Sequence, residues 1–307
     1  YDSIIKWHET RNGVTGLTKE CVGYENGVLG GVISALNVFC SKGDNVLLHS
    51  PTYIGFTGCI TNNGYHIVHS LLKRDEQGIW RMDFEDMEKK IVENKIHATI
   101  FCSPHNPCGR VWEKWEVEKA MEIYKKHDVY VISDEIWSDL ILDGYRHVPT
   151  QSVSEDARQR TVAIYAPSKT FNLAGLQLSN ILIPNPELRR HFADEVCATG
   201  YDEPSCFGLA AAQACFTQGD EWLDQLKDYL EGNIALVRDF IAQRIPALRF
   251  TEPESTYLLW VDCRGLGLTD EELTRFIQHD ARLWLDMGSI FGKEGEGFIR
   301  LNVACPR

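Results

Sequence analysis

Along the first two thirds of the chain, short apolar runs of strand length alternate with stretches whose apolar residues recur at helical spacing. The runs fall at 46–49, 98–102, 129–133, 161–165 and 180–183, and each is rich in the β-branched and aliphatic residues that fill buried strands. Between them Phe84, Met87 and Ile91, and then Val117, Ala120, Met121 and Tyr124, repeat at steps of a helix face. Strands alternating with helices in this way predict an α/β architecture, a mostly parallel sheet covered on both faces. Past about residue 200 the rhythm changes. Leu223, Leu226, Leu230, Ile234, Val237 and Ile241 advance by three or four over one long amphipathic helix, which Pro246 ends. A run at 256–261, a helix opened by Thr269 with Glu272 three residues on, and a strand at 298–303 complete a second pattern. The expected organisation is therefore a large unit over 1–215 and a smaller α+β unit over 216–307.

At 307 residues the chain exceeds the roughly 250–300 at which a single core stops growing, which agrees with two units. Tyr1 leads straight into a helix-like stretch and Pro306-Arg307 follows directly on a strand, so both ends are expected to continue into segments outside this sequence. The net charge of -13 argues against sequence-independent binding to nucleic acid phosphates. No stretch approaches the ~20 apolar residues of a membrane span, and the first residues lack a signal peptide's apolar segment. Neither a membrane nor a nucleic acid is an expected partner. Ten cysteines scatter without a paired framework, which suits a reducing compartment and predicts a cytoplasmic protein.

Candidate chemistry gathers at strand ends. Lys169 lies in Ala-Pro-Ser-Lys-Thr-Phe-Asn, after Ser-Pro-His-Asn-Pro at 103–107 and Ser-Asp-Glu-Ile at 133–136. The order of the three points to a pyridoxal 5'-phosphate site. The phosphate of that cofactor needs backbone amides at a helix start, where unsatisfied donors and partial positive charge coincide. Glu-Asn-Gly-Val-Leu-Gly-Gly at 25–31 offers one, with Gly27 permitting close approach, although a packing glycine cluster reads the same way. The ring nitrogen needs an anion that keeps it protonated. Asp134 stands at a strand's carboxyl end, where open α/β sheets bind ligands, and Glu135 is the alternative carboxylate. Asn106 can donate its amide to the phenolic oxygen or serve as a turn-former before proline. Tyr53 can stack on the ring or pack with other aromatics. Arg300, in an otherwise apolar strand, requires a carboxylate, either a substrate's or a structural partner's. Cys102, His105 and Cys108 lack an evident fourth ligand, so no metal is expected.

The segments Ser-Pro-His-Asn-Pro-Cys-Gly-Arg-Val-Trp, Val-Ile-Ser-Asp-Glu-Ile, Ala-Pro-Ser-Lys-Thr-Phe-Asn-Leu-Ala-Gly-Leu-Gln and Phe-Ile-Arg-Leu-Asn-Val-Ala-Cys-Pro-Arg resemble fold-type I pyridoxal-phosphate enzymes of the class I/II aminotransferase family. More narrowly they are similar to its cystathionine β-lyase branch, the carbon-sulfur lyases. The resemblance spans almost the whole chain. It implies a PLP-transferase fold type I, with a mostly parallel seven-stranded sheet in the large unit. It further implies Lys169 as the Schiff-base lysine, Asp134 as partner of the ring nitrogen, Asn106 as donor to the phenolic oxygen and Tyr53 as the stacking ring. Arg300 is implied to hold the substrate carboxylate beside Asn106 and Tyr53, and Gly27, Val28 and Ser168 to contact the phosphate. An amino-acid substrate and a homodimer with shared active sites follow from the same resemblance, the partner's phosphate-reaching tyrosine belonging to an upstream segment.

Three positions depart from many relatives: Trp137 replaces a Tyr or His, Gln177 replaces an Arg of the transaminases, as in the lyase branch, and Ala166 replaces a phosphate-binding hydroxyl. The implied reaction is β-elimination from a sulfur amino acid, yielding thiol, pyruvate and ammonia. Transamination shares its steps up to the carbanion, so the core motifs leave both open. A regulatory, partner-binding protein that keeps the fold is a third reading.

Overall fold

The computed structural model describes residues 1–307, the side chain of Phe250 excepted. Its centre is a seven-stranded sheet in the order β1-β9-β8-β7-β6-β2-β3, built from β1 (Val22–Asn26), β2 (Asn45–Ser50), β3 (His66–Leu71), β6 (Ala98–Cys102), β7 (Tyr130–Asp134), β8 (Thr161–Tyr165) and β9 (Leu178–Leu182). β4 (Lys73–Arg74) and β5 (Trp80–Arg81) form a separate ribbon. The helices are α1 (Asp2–Arg11), α2 (Gly27–Phe39), α3 (Ile54–Asn62), α4 (Phe84–Glu93), α5 (Lys114–Lys126), α6 (Glu155–Arg160), α7 (Pro167–Thr170), α8 (Pro186–Thr199), α9 (Cys206–Gln218), α10 (Asp220–Arg244) and α11 (Asp270–Arg275). None of them is long and apolar enough to cross a membrane.

The apolar runs occupy the sheet as expected, with one difference of direction. Strands β3, β2, β6, β7 and β8 run parallel, whereas β9 is antiparallel to β8 and β1 antiparallel to β9. A parallel return needs a crossover of a dozen or more residues, usually a full helix. Between β8 and β9 the chain makes only the short α7 and a 3-10 turn at Ala174–Leu176 before reversing through Gln177, which holds a left-handed φ of 49°. The apolar runs did not mark β1 and β3. Both lie at sheet edges, β1 with Gly23 exposed and β3 with His66 and Leu71 exposed, so neither needs a continuous apolar run.

Apolar side chains cover both faces. Val32 and Leu36 of α2 and Leu188, Phe192 and Val196 of α8 pack on Ile132, Ile164 and Ile181. On the opposite face Met87 and Ile91 of α4 join Val117, Met121 and Tyr124 of α5 on Phe101 and Val131. Each such side chain contributes about 1.5–3 kcal/mol by leaving water. At Gly31 a Cβ would come within 2.8 Å of Ile181 and 3.2 Å of Ile164, so the glycine lets α2 lie close against the sheet.

Beyond residue 219 the long helix α10 packs Ile234 and Ile241 on Leu259 and Val261 of a second, antiparallel sheet. That sheet runs β10-β11-β13-β12, from β10 (Arg249–Phe250), β11 (Leu258–Asp262), β12 (Asp286–Met287) and β13 (Phe298–Asn302). The expected capping box forms at Thr269 and Glu272, opening α11.

Candidate active site

The carboxyl ends of β6 and β7, the entry to α2, the turn α7 and strand β13 enclose a cavity of about 340 Å³. Gly27, Val28, Tyr53, Asn106, Asp134, Ser168, Lys169 and Arg300 all line it, so residues spread over more than 270 positions of sequence meet in one place.

Asp134 ends β7 with 4% of its surface exposed, and Oδ1 accepts the Ile136 amide at 3.1 Å. Burial pushes its pKa up to about 7, against the pull of that amide and of Lys169. Glu135 is the opposite case. Side chains alternate across a strand, and its carboxylate accepts from Ser133 Oγ (2.9 Å), His147 Nε2 (2.7 Å), Tyr165 Oη (2.5 Å) and the Thr150 amide (3.1 Å). Burial works against that charge, yet these donors hold its pKa below the ordinary value. Of the two carboxylates only Asp134 reaches the cavity.

Lys169 sits in α7, whose first position is Pro167, a residue pre-set for a helix start. Burial lowers the pKa of its amine, with Asp134 opposing and Arg300 assisting. Nζ lies 5.7 Å from the centroid of the Trp137 ring. Trp137 is buried and meets Tyr257 edge-on at 4.9 Å. Trp137 thus forms an aromatic wall against the amine, with cation–π attraction when the amine is charged.

Arg300 reaches the cavity from β13. Its Nη1 donates to Asn106 Oδ1 at 2.8 Å, while Nε (3.1 Å) and Nη2 (2.5 Å) donate to Asp286 Oδ2. The arginine therefore has a structural carboxylate and still lines the cavity. With Oδ1 occupied, Asn106 keeps Nδ2 as a free donor. The loop bearing Asn106 is tied to the segment just before β11 by Arg110, a buried side chain paired with Glu254, Glu116 and Glu113. Tyr53 occupies the position just before α3 and meets Phe56 edge-on at 5.4 Å. Burial and nearby Asp134 raise its pKa.

At the entry to α2, Gly27 takes φ +75°, and a Cβ there would stand 2.5 Å from Gln177 Oε1. Its amide, expected to face an anion, instead donates to the Gln177 carbonyl at 2.9 Å. The amides of Val28 and Leu29, in the helix's first turn, have no acceptor within the helix. Ser179 Oγ donates to the carbonyls of Glu25 (2.8 Å) and Gly27 (3.2 Å) and fixes the turn. Ser168 is half-buried on the same wall. Cys102 also lines it, but His105 Nε2 is engaged by the Pro51 carbonyl at 2.8 Å and Cys108 is buried elsewhere.

Leu29, Tyr257 and Asn302 are among the lining residues that the sequence did not single out. Asn302 stands two positions after Arg300 and so shares its face of β13, a spacing that could have revealed it. Tyr257 precedes β11 and carries no comparable signal.

These residues fit pyridoxal phosphate. A buried carboxylate with one backbone donor is costly unless a cation joins it, and a protonated ring nitrogen is such a cation. The first-turn amides of α2 suit a phosphate, and a desolvated lysine stands in the same space. Fold and cavity together define a pyridoxal-phosphate-dependent enzyme of fold type I.

The model of the family "Aminotransferase class I and II" matches residues 2–307, and the chain belongs to that family. Cystathionine beta-lyase PatB of Bacillus subtilis (strain 168) is 36% identical over 305 residues, covering 99% of this chain and 78% of the relative. Protein MalY of Escherichia coli (strain K12) is 31% identical over 306 residues, covering 99% and 77%. The crystal structure of cystalysin from Treponema denticola, which contains a pyridoxal 5'-phosphate cofactor, superposes with a TM-score of 0.96 at 35% identity, over 99% of this chain and 77% of that one.

Proposed function

We propose that the protein is a carbon-sulfur β-lyase that releases thiol, pyruvate and ammonia from a cysteine-derived amino acid. The meeting of the desolvated Lys169, the buried Asp134 and Arg300 in one cavity supports proton removal at an amino acid's Cα, and the observation that carries elimination is the 36% identity to a cystathionine beta-lyase. Kinship with the cystathionine beta-lyases of Bacillus subtilis and Corynebacterium glutamicum supports elimination over transamination, as does Gln177 in place of the arginine expected of transaminases.

When bound, pyridoxal phosphate supplies an aldehyde for the substrate amine and a ring that accepts the electron pair left at Cα. Arg300 binds the substrate's α-carboxylate through the donors that Asp286 and Asn106 leave free, and so orients Cα. Lys169 Nζ takes the Cα proton, its basicity moderated by burial. With the cofactor bound, Asp134 would hold the proton on the ring nitrogen, and Asn106 Nδ2 would donate to the phenolic oxygen. Trp137 and Tyr257 keep water from the amine, and Tyr53 would pack on the ring face. Val28, Leu29 and Ser168 would hold the phosphate, with Gly27 permitting the turn. The bond from Cβ to sulfur breaks with the electron pair leaving on sulfur, which takes up a proton, and the remaining enamine hydrolyses to pyruvate and ammonia.

The same reading gives a large unit over 1–215 and a small unit over 216–307 that contributes Tyr257, Arg300 and Asn302 to the cavity. A homodimer with shared sites accords with the exposure of Tyr201, Phe207 and Leu209, apolar residues in one segment. The ten free cysteines accord with the cytoplasm.

Incubation of the purified protein with L-cystathionine, L-cysteine and S-alkyl cysteines tests the function. Pyruvate and thiol should accumulate over repeated turnovers with no added acceptor. Keto acid formed only when an amino acceptor is supplied would replace this reading with transamination.

A further inference from the structure

Asp139 is a partly buried carboxylate that the chemistry above leaves unused. Its Oδ2 accepts from Thr170 Oγ1 and its Oδ1 from Trp7 Nε1, both at 2.9 Å. Both donors are buried. Burial pushes the Asp139 pKa up, and the two donors pull it back. Thr170 directly follows Lys169 in α7, a helix of four residues. One helical turn has little stability of its own, so the direction of Lys169 depends on what holds its neighbours. Phe171 is held by aromatic contacts with Trp7 (5.8 Å) and Trp222 (5.4 Å), and a Cβ on Gly219 would stand 2.6 Å from its ring. Thr170 is held by Asp139.

We propose that Asp139 is a positioning residue for Lys169, acting through the Thr170 hydroxyl; the role rests on Lys169 being the reacting amine. The Asp139–Thr170 bond directly joins the segment 134–139, which carries Asp134 and Trp137, to the turn that carries Lys169. It sets where the amine stands relative to a substrate Cα. Loosening it leaves the helix start at Gly27 and the Asp134 carboxylate in place, so the cofactor still binds while the amine is misplaced. A displacement of about 1 Å costs on the order of 100-fold in rate.

Thr170→Val removes the donor at nearly constant shape, and Thr170→Ser keeps it. With saturating cofactor, Thr170→Val should lose roughly 10- to 100-fold in kcat while KM stays within about threefold, and Thr170→Ser should restore most of the loss. Adding Thr170→Val to Asp139→Ala should cost little beyond Asp139→Ala alone, since Asp139→Ala has already removed the bond to Thr170 together with that to Trp7. The pH titration of the bound cofactor's absorbance should shift its midpoint in Thr170→Val. A Thr170→Val enzyme with wild-type kcat and midpoint, or losses that multiply in the double variant, would overturn the proposal. Should Asp139→Ala fail to fold, the Val and Ser pair decides alone. A wild-type protein that released no pyruvate would instead refute the lyase reading, and the absorbance midpoint, which needs only bound cofactor, would still judge Asp139.

Discussion

Asp134→Asn in cofactor-free protein should stabilise the fold at alkaline pH even as it removes function. Burial raises the carboxyl from 3.8 to about 7. An acid whose folded pKa is raised favours folding while it stays protonated. That stability is complete below about pH 4 and is lost as pH rises through about 7. Roughly three pH units at 1.36 kcal/mol each make the ionised buried carboxylate cost about 4 kcal/mol. Asparagine has nearly the same shape and no charge to bury. With ~2.1 cal/mol/K of unfolding entropy per residue over 307 residues, 4 kcal/mol corresponds to about 6 °C in Tm. Calorimetry of stripped wild type and variant at about pH 5 and pH 8.5 makes the comparison. The variant should melt several degrees higher at the alkaline pH, and the gap should narrow to less than half at the acid one, where the folded carboxyl is protonated but the unfolded one is still largely ionised. Saturation with pyridoxal phosphate should reverse the order, because Asp134 then faces a cation. Equal gaps at both pH values, or a wild type that melts higher at alkaline pH without cofactor, would refute the reasoning.

Gly27→Ala forces a side chain into left-handed backbone beside Gln177 Oε1. With about 1–2 kcal/mol of backbone strain, it should weaken cofactor binding at least tenfold by absorbance titration. Arg300→Gln removes a charged donor from the substrate's carboxylate and should raise KM by about 10- to 100-fold, with cofactor affinity unchanged in the same titration. Glu254→Ala withdraws a carboxylate from buried Arg110 and should cost about 3 kcal/mol in urea unfolding, more than Glu113→Ala, whose carboxylate is half exposed.

Much of this arrangement was legible in the chain. The runs at 98–102 and 161–165 coincide with β6 and β8 because a strand buried on both faces must be apolar throughout. The lysine, aspartate and asparagine segments stand at strand or turn ends, where the sheet's connectivity makes them converge. The direction of β9 was hidden, since it depends on how the chain folds back around Lys169 rather than on the strand's composition. Long-range pairing was hidden as well. Nothing near Arg300 marks Asp286 as its partner, and nothing near Asp134 says that Glu135 would be consumed by His147 and Tyr165. Asp139 reads as an ordinary polar residue until Trp7 and Thr170 are brought to it from 132 and 31 positions away.

The central claim is that the amine of Lys169 is the group that carries and works with pyridoxal phosphate. Borohydride reduction of the holoprotein, followed by peptide mass spectrometry, tests it most directly. The reduced cofactor should be found on the peptide containing Lys169, one per chain, and none in Lys169→Ala, which should keep its fold but lose turnover. Cofactor fixed on another lysine, or a Lys169→Ala protein that still turns over sulfur amino acids, would contradict it.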